Sequence, residues 1–174
     1  MTLEMQELAQ SVIALAEAAN QEIEVYVMSQ KSLRVEVSDG QVETLREAQQ
    51  TGVGIRVIDG GRLGLAFTTN LDHASLKDTI RLAKASAESA SADEYNVLPS
   101  PKPVQSLDLL DPAMAAIPVD QKIELAKAVE SAARGYDSRV TKVRQSTYSD
   151  GFYQVGICNT RGVDVGYEGA YAAA

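Results

Sequence analysis

Between Ser32 and Thr69, apolar and polar residues alternate with a period of two, and the alternation is broken twice by turn residues. Leu33, Val35 and Val37 alternate with Arg34 and Glu36, and Asp39-Gly40 then reverses the chain. Val53, Ile55 and Val57 alternate again, Asp59-Gly60-Gly61 makes a second turn, and Leu63, Leu65 and Phe67 alternate once more. A period of two places each apolar set on one sheet face, so the run predicts antiparallel strands at 32–38, 41–49, 53–58 and 62–68, with a further strand before it at 22–28. Leu33, Val35, Val37, Val53, Ile55, Val57, Leu65 and Phe67 are the expected core.

Elsewhere the period is helical. Thr2 can cap a helix over 3–19, with Leu8, Val12, Leu15, Ala16 and Ala19 on one stripe. A second helix over 72–90 carries Leu76, Ile80, Ala83, Ala87 and Ala90, with Ser75 and Asp78 forming a box-like start. A third, over 118–134, has Pro118 in its first turn, Ile123, Ala126, Val129 and Ala133 facing inward, and Gly135 at its end. All five prolines lie between Pro99 and Pro118, which makes 91–117 a connection. Strands at 139–148, 152–158 and 163–171 complete an α+β fold, an antiparallel sheet with helices packed on one face. Residues 4–49 echo residues 119–171 as helix, strand, strand and turn, with Ser149-Asp150-Gly151 answering Ser38-Asp39-Gly40, as two duplicated helix-plus-meander units, 1–90 and 118–174, would. The final strand stops without a cap or polar tail, so the chain reads as a fragment. Its last edge is expected to pair with another copy or to fray, with Tyr167 and Tyr171 adding contact area.

Composition narrows the function classes. A formal charge of −8 and a pI near 4.7 argue against a nucleic-acid partner, which needs Lys and Arg on phosphates. One cysteine excludes an internal disulfide and fits a reducing compartment. No apolar run approaches the ~20 residues of a membrane span, and the N-terminus lacks the basic start of a secretory signal. The expected location is the cytoplasm, with no membrane partner.

The ordered series of strand, Asp-Gly turn, glutamate-bearing strand, TGVGIRV, a second Gly-rich turn, AFTTNLD and helix resembles the N-terminal part of the TldD/PmbA family, once called modulators of DNA gyrase. LDLLDP at residues 107–112 and the helix after it extend the resemblance along nearly the whole chain, and NTRGVDVGYEGAY is closer to the PmbA (TldE) branch. The resemblance implies a metallopeptidase assembly of paired subunits that acts on unfolded or leader peptides. It also implies a zinc site in the C-terminal domain of the catalytic subunit. The family's HExxxH signature is absent here, since His73 is followed by Ala74 and Ser75. No catalytic, cofactor-binding or metal-ligating residue is therefore assigned to this chain.

The candidate side chains favour the same conclusion. His73 reads as a surface residue at a helix start, because zinc needs three or four ligands. Cys158, between Ile157 and Asn159, reads as a buried thiol. Gly52-Val53-Gly54 precedes a strand where a dinucleotide fingerprint requires a helix. The carboxylate pairs Glu22/Glu24, Asp93/Glu94 and Asp108/Asp111 read as solvated. Arg34, Arg46, Arg56 and Arg62 could grip a peptide carboxylate or simply cover an outer sheet face beside Glu36 and Glu43. Tyr148, Tyr153, Tyr167 and Tyr171 cluster on the last strands, as tyrosines do at half-wet surfaces. Two roles follow. One is a non-catalytic domain of a TldD/PmbA-type assembly that contributes scaffold, subunit contact and strand addition to a peptide. The other is a freestanding protein-binding module with an open sheet edge.

Overall fold

The computed structural model describes residues 2–17 and 22–174. The elements are α1 (Thr2–Glu17), β1 (Glu22–Ser38), β2 (Gln41–Asp59), β3 (Arg62–Thr68), α2 (His73–Glu88), α3 (Pro112–Ala115), α4 (Val119–Tyr136), β4 (Ser146–Asn159) and β5 (Asp164–Ala173). The strands form one antiparallel sheet in the order β3-β2-β1-β4-β5. The α+β architecture is thus the expected one, with strands longer than the alternation suggested. Residues 22–28 and 32–38 are one strand, as are 41–49 and 53–58. Both hairpin turns have two central residues at positive φ, Asp39 (50°) with Gly40 (72°) and Gly60 (57°) with Gly61 (76°). These are the primed turns that match strand twist. The expected helix end at Ala19 and the capping side chain of Thr2 lie outside the described residues.

The chain divides into two compact units. The first comprises Met1–Ser29, Gln50–Leu107 and Gln154–Glu168. Its core sets Ile23, Val25, Val27, Val53, Ile55 and Val57 against Ala9, Val12, Ile13 and Ala16 of α1 and Leu76, Ile80 and Ala83 of α2. Asp72 caps α2 by accepting from the Ser75 amide at 2.8 Å, while Asp78 pairs with Arg81 and takes no part in a capping box.

Leu65 and Phe67 do not join this core. They are 61% and 86% exposed, and Gly64 and Ala66 face α2 in their place. The register explains the reversal. Val57 pairs with Gly64, Ile55 with Ala66 and Val53 with Thr68, and directly paired residues share a face. A methyl added at Gly64 would land on the Ala83 carbonyl oxygen and the Ala87 amide nitrogen, and 2.9 Å from the Ala87 Cβ. Glycine here brings α2 into backbone contact with β3, which larger residues on that face would prevent.

The second unit comprises Gln30–Gln49, Asp108–Tyr153 and Gly169–Ala174. Leu33, Val35, Val37, Ala126 and Tyr148 form its core, with Ile123 beside them. The inward face of α4 differs from the expected one. Lys122, Ala126 and Glu130 are buried, whereas Val129 is 39% exposed and Ala133 is exposed. Each buried charge has a partner. Lys122 pairs with Asp150, and the Tyr148 hydroxyl donates to the same Asp150 oxygen at 3.0 Å. Glu130 accepts the amides of Asp39 and Gly40 at 2.8 and 2.9 Å and clasps the first hairpin turn, with Arg134 3.0 Å away.

Asp150-Gly151 is accordingly not a turn. It lies inside β4, which runs unbroken where two strands were expected, and residues 139–145 are irregular. The echo between the two halves therefore fails at that dipeptide, while the order helix, inner strand, outer strand does recur in α1-β1-β2 and α4-β4-β5. Pro118 caps α4 from just outside, Gly135 lies within it, and the 91–117 connection contains the turn α3, capped by Asp111. The β5 edge is not bare: Leu109 bridges Gly169, and the Ala170 amide donates to the Leu109 carbonyl at 2.9 Å.

Candidate functional site

The first unit presents its chemistry on the sheet face opposite the helices and on the outer edge of β3. In the primed turn at Gly60-Gly61 the first and fourth residues are hydrogen-bonded, so Asp59 and Arg62 form a bonded pair. Bonded and non-bonded pairs then alternate along the ladder. The backbone groups of Gly64, Ala66 and Thr68 point toward β2, while those of Leu63, Leu65 and Phe67 point outward. Among the described residues no strand lies beyond β3. The residues with exposed apolar side chains therefore also carry the outward backbone donors and acceptors.

Other sheet edges are protected. The part of β2 over 41–50 carries Glu43, Arg46 and Glu47, and β5 meets Leu109. Between Arg62 and Thr68, β3 has no charge, proline or bulge of the kind that blunts an edge. Beside it is a cavity of about 540 Å³. It is lined by Tyr26, by the cross-strand pair Gly54 and Phe67, and by Glu24 with the next pair on that face, Arg56 and Leu65. Arg56 Nη2 lies 2.6 Å from Glu24 Oε1, and Arg56 Nε is buried with no hydrogen-bond acceptor.

The residues singled out in the sequence are dispersed. His73 is exposed at the first position of α2. Glu22 pairs with Arg161 and Glu24 with Arg56, so the first carboxylate pair is divided between two arginines. Asp93 accepts the Tyr95 amide in a turn, and Asp111 caps α3. Arg34 pairs with Glu36, as an outer-face arginine would. Gly52 and Gly54 sit in mid-strand. Among the tyrosines, Tyr148 is buried and Tyr171 accepts from Gln30 at 3.1 Å. Of all these residues, only Glu24, Gly54 and Arg56 line the cavity.

No group of three or more His, Cys, Asp or Glu residues that could hold a metal is present among the described residues. Cys158 does not suit zinc. The Cys158 thiol is buried and donates to Asp164 Oδ1 at 3.3 Å, and burial, reinforced by that carboxylate, pushes its pKa up to about 12. A thiol held protonated is a poor nucleophile and a poor ligand. Cys158 is expected to react with Ellman's reagent at least ~100-fold more slowly in the folded chain than after unfolding in urea. Comparable rates in the two states would show that the thiol is accessible. No helix among the described residues is long and apolar enough to cross a membrane.

Comparisons with known proteins agree with this architecture. Residues 23–87 match the family model for PmbA/TldA metallopeptidase domain 1, and residues 113–174 match the model for the PmbA/TldA metallopeptidase central domain. The metalloprotease PmbA of Escherichia coli O157:H7 is 27% identical over 169 residues, covering 94% of this chain and 37% of the relative. A metalloprotease PmbA homologue of Haemophilus influenzae is 29% identical over 150 residues, covering 83% and 33%. A crystal structure from Bacteroides thetaiotaomicron, described as a modulator of DNA gyrase, superposes with a TM-score of 0.83 at 27% identity, covering 97% of this chain and 39% of that one. Fold and relatives together define an α+β chain built like the first and central domains of the PmbA/TldA models. The chain belongs to the PmbA/TldD metallopeptidase family. It spans about a third of the length of these curated relatives.

Proposed function

We propose that the chain is a non-catalytic N-terminal portion of a TldD/PmbA-type peptidase assembly in the cytoplasm, one that holds extended or unfolded peptide for a catalytic centre elsewhere. In this reading zinc belongs to the C-terminal domain of the catalytic subunit. This portion contributes scaffold, contact with its own C-terminal domain and with a paired subunit, and strand addition to the peptide. The observation that carries the reading is the unblunted edge of β3, where Leu63, Leu65 and Phe67 turn their backbone groups outward beside exposed apolar side chains. Main-chain pairing suits a substrate defined by being unfolded, because it reads extended backbone before it reads sequence.

The test is a fluorescence-anisotropy titration of the chain with a labelled extended peptide, repeated with peptides N-methylated at alternate residues. Methylation in the register that faces β3 should weaken binding at least ~10-fold, and methylation in the other register should leave it unchanged. Equal binding in both registers would refute strand addition. A reading frame that ends with this chain would favour the freestanding binding module.

A further inference from the structure

Gly54 is not required by the backbone or by packing. Its φ is not positive, and a Cβ built on it meets nothing closer than the Tyr26 carbonyl oxygen, at 3.8 Å, an ordinary contact distance. This is the opposite of Gly64, where an added methyl meets the backbone of α2. A glycine inside a strand costs conformational entropy and offers no side chain to pack. Its one structural effect here is an open slot between the Tyr26 and Phe67 side chains on the sheet's exposed face.

The slot also has a polar end with unused hydrogen-bonding capacity. The guanidinium fork of Arg56 is half used: Nη2 is engaged by Glu24, while Nε has no acceptor and is covered. A small rotation of the side chain would uncover Nε for an incoming oxygen while Nη2 stays on Glu24. With Glu24 already neutralising the arginine, that oxygen fits better as an uncharged main-chain carbonyl than as a carboxylate. A chain of net charge −8 also resists docking a second copy of itself.

We infer that the Gly54 slot is a side-chain subsite that takes a large apolar side chain, phenylalanine or leucine, from an extended polypeptide whose carbonyl oxygen accepts from Arg56. The inference rests on the peptide-holding role proposed above and adds a preference to it: β3 reads the backbone, and the slot selects segments with bulky apolar residues. Such residues are buried in folded proteins and exposed in unfolded ones.

The experiment compares two acetylated, amidated, labelled peptides that differ only at one central residue, Phe or Ser, against the wild-type chain, Gly54→Val and Arg56→Lys. The wild type is expected to bind the Phe peptide at least ~10-fold more tightly than the Ser peptide. Gly54→Val should abolish that preference while leaving the unfolding midpoint at or above the wild-type value. Arg56→Lys should weaken the Phe peptide several-fold. Equal binding of the two peptides by the wild type, or a preserved preference in Gly54→Val, would overturn the subsite and leave strand addition standing. If neither peptide binds, both readings fail. A wild type that sediments as a dimer while Gly54→Val is monomeric would assign the slot to a second copy and overturn the peptide assignment.

Discussion

Replacing Asp150 with alanine should lower folding stability by about 3–5 kcal/mol, because it strands a buried lysine without a counter-ion. The Lys122 and Asp150 side chains are only 8% and 3% exposed, and Asp150 also accepts the Tyr148 hydroxyl. Urea unfolding should show a lower midpoint with little change in slope. The double variant Lys122→Met/Asp150→Leu should recover most of the loss, since removing both charges also removes their desolvation cost. A double variant as unstable as Asp150→Ala would mean that packing, not charge, sets the cost. The same cluster predicts an alkaline limit. Burial, followed by the Asp150 contact, raises the Tyr148 pKa from 10.0 to about 12. The unfolded chain gives up that proton first, so this contribution to stability is complete below about pH 10 and is lost as pH rises toward about 12. Tyr148→Phe should flatten that decline.

Gly64→Val should cost at least about 3 kcal/mol, because the atoms it would strike are backbone atoms of α2, which cannot move aside individually. Gly54→Val, only ten positions away on the adjacent strand, should cost nothing or stabilise slightly, valine being a better strand former. Thermal unfolding of the two variants side by side is a controlled comparison, with the same substitution in the same sheet but opposite demands on space. If both variants unfolded alike, the close approach of α2 to β3 would be refuted.

Much of the fold was legible because local signals agreed: the period of two, the Asp39-Gly40 turn, and the helical spacing of Leu76, Ile80, Ala83 and Ala87 all survive in the structure. What was not legible depended on partners far along the chain. A three-residue reading of Asp59-Gly60-Gly61 leaves the register of β3 open. With the two-residue turn, Val57 pairs with Gly64, and Leu65 and Phe67 necessarily face outward. The alternation gave their common face correctly but could not say which side the helices cover. On α4 the expected inward stripe of Ile123, Ala126, Val129 and Ala133 holds at Ala126 and in part at Ile123, while Val129 and Ala133 are exposed: the inward face is rotated toward Lys122 and Glu130, because Asp150 and the turn amides of Asp39 and Gly40 satisfy those charges. Asp150-Gly151 looked like a turn because those residues usually make one, whereas Asp150 lies buried beside Lys122 within a continuous strand. Of the candidate site, Arg56 and Gly54 were visible as residues, but their convergence with Phe67 required the register.

Amide hydrogen exchange on β3 tests the central claim most directly, since it reads the outward edge one residue at a time. In the chain alone, the Gly64 and Ala66 amides should be protected through their bonds to β2, while Leu65 and Phe67 exchange fast. Saturating extended peptide should slow Leu65 and Phe67 at least ~10-fold and leave Gly64 and Ala66 nearly unchanged. Leu65 and Phe67 already protected in the chain alone, or unaffected by bound peptide, would contradict the assignment of β3 as the edge that receives a strand.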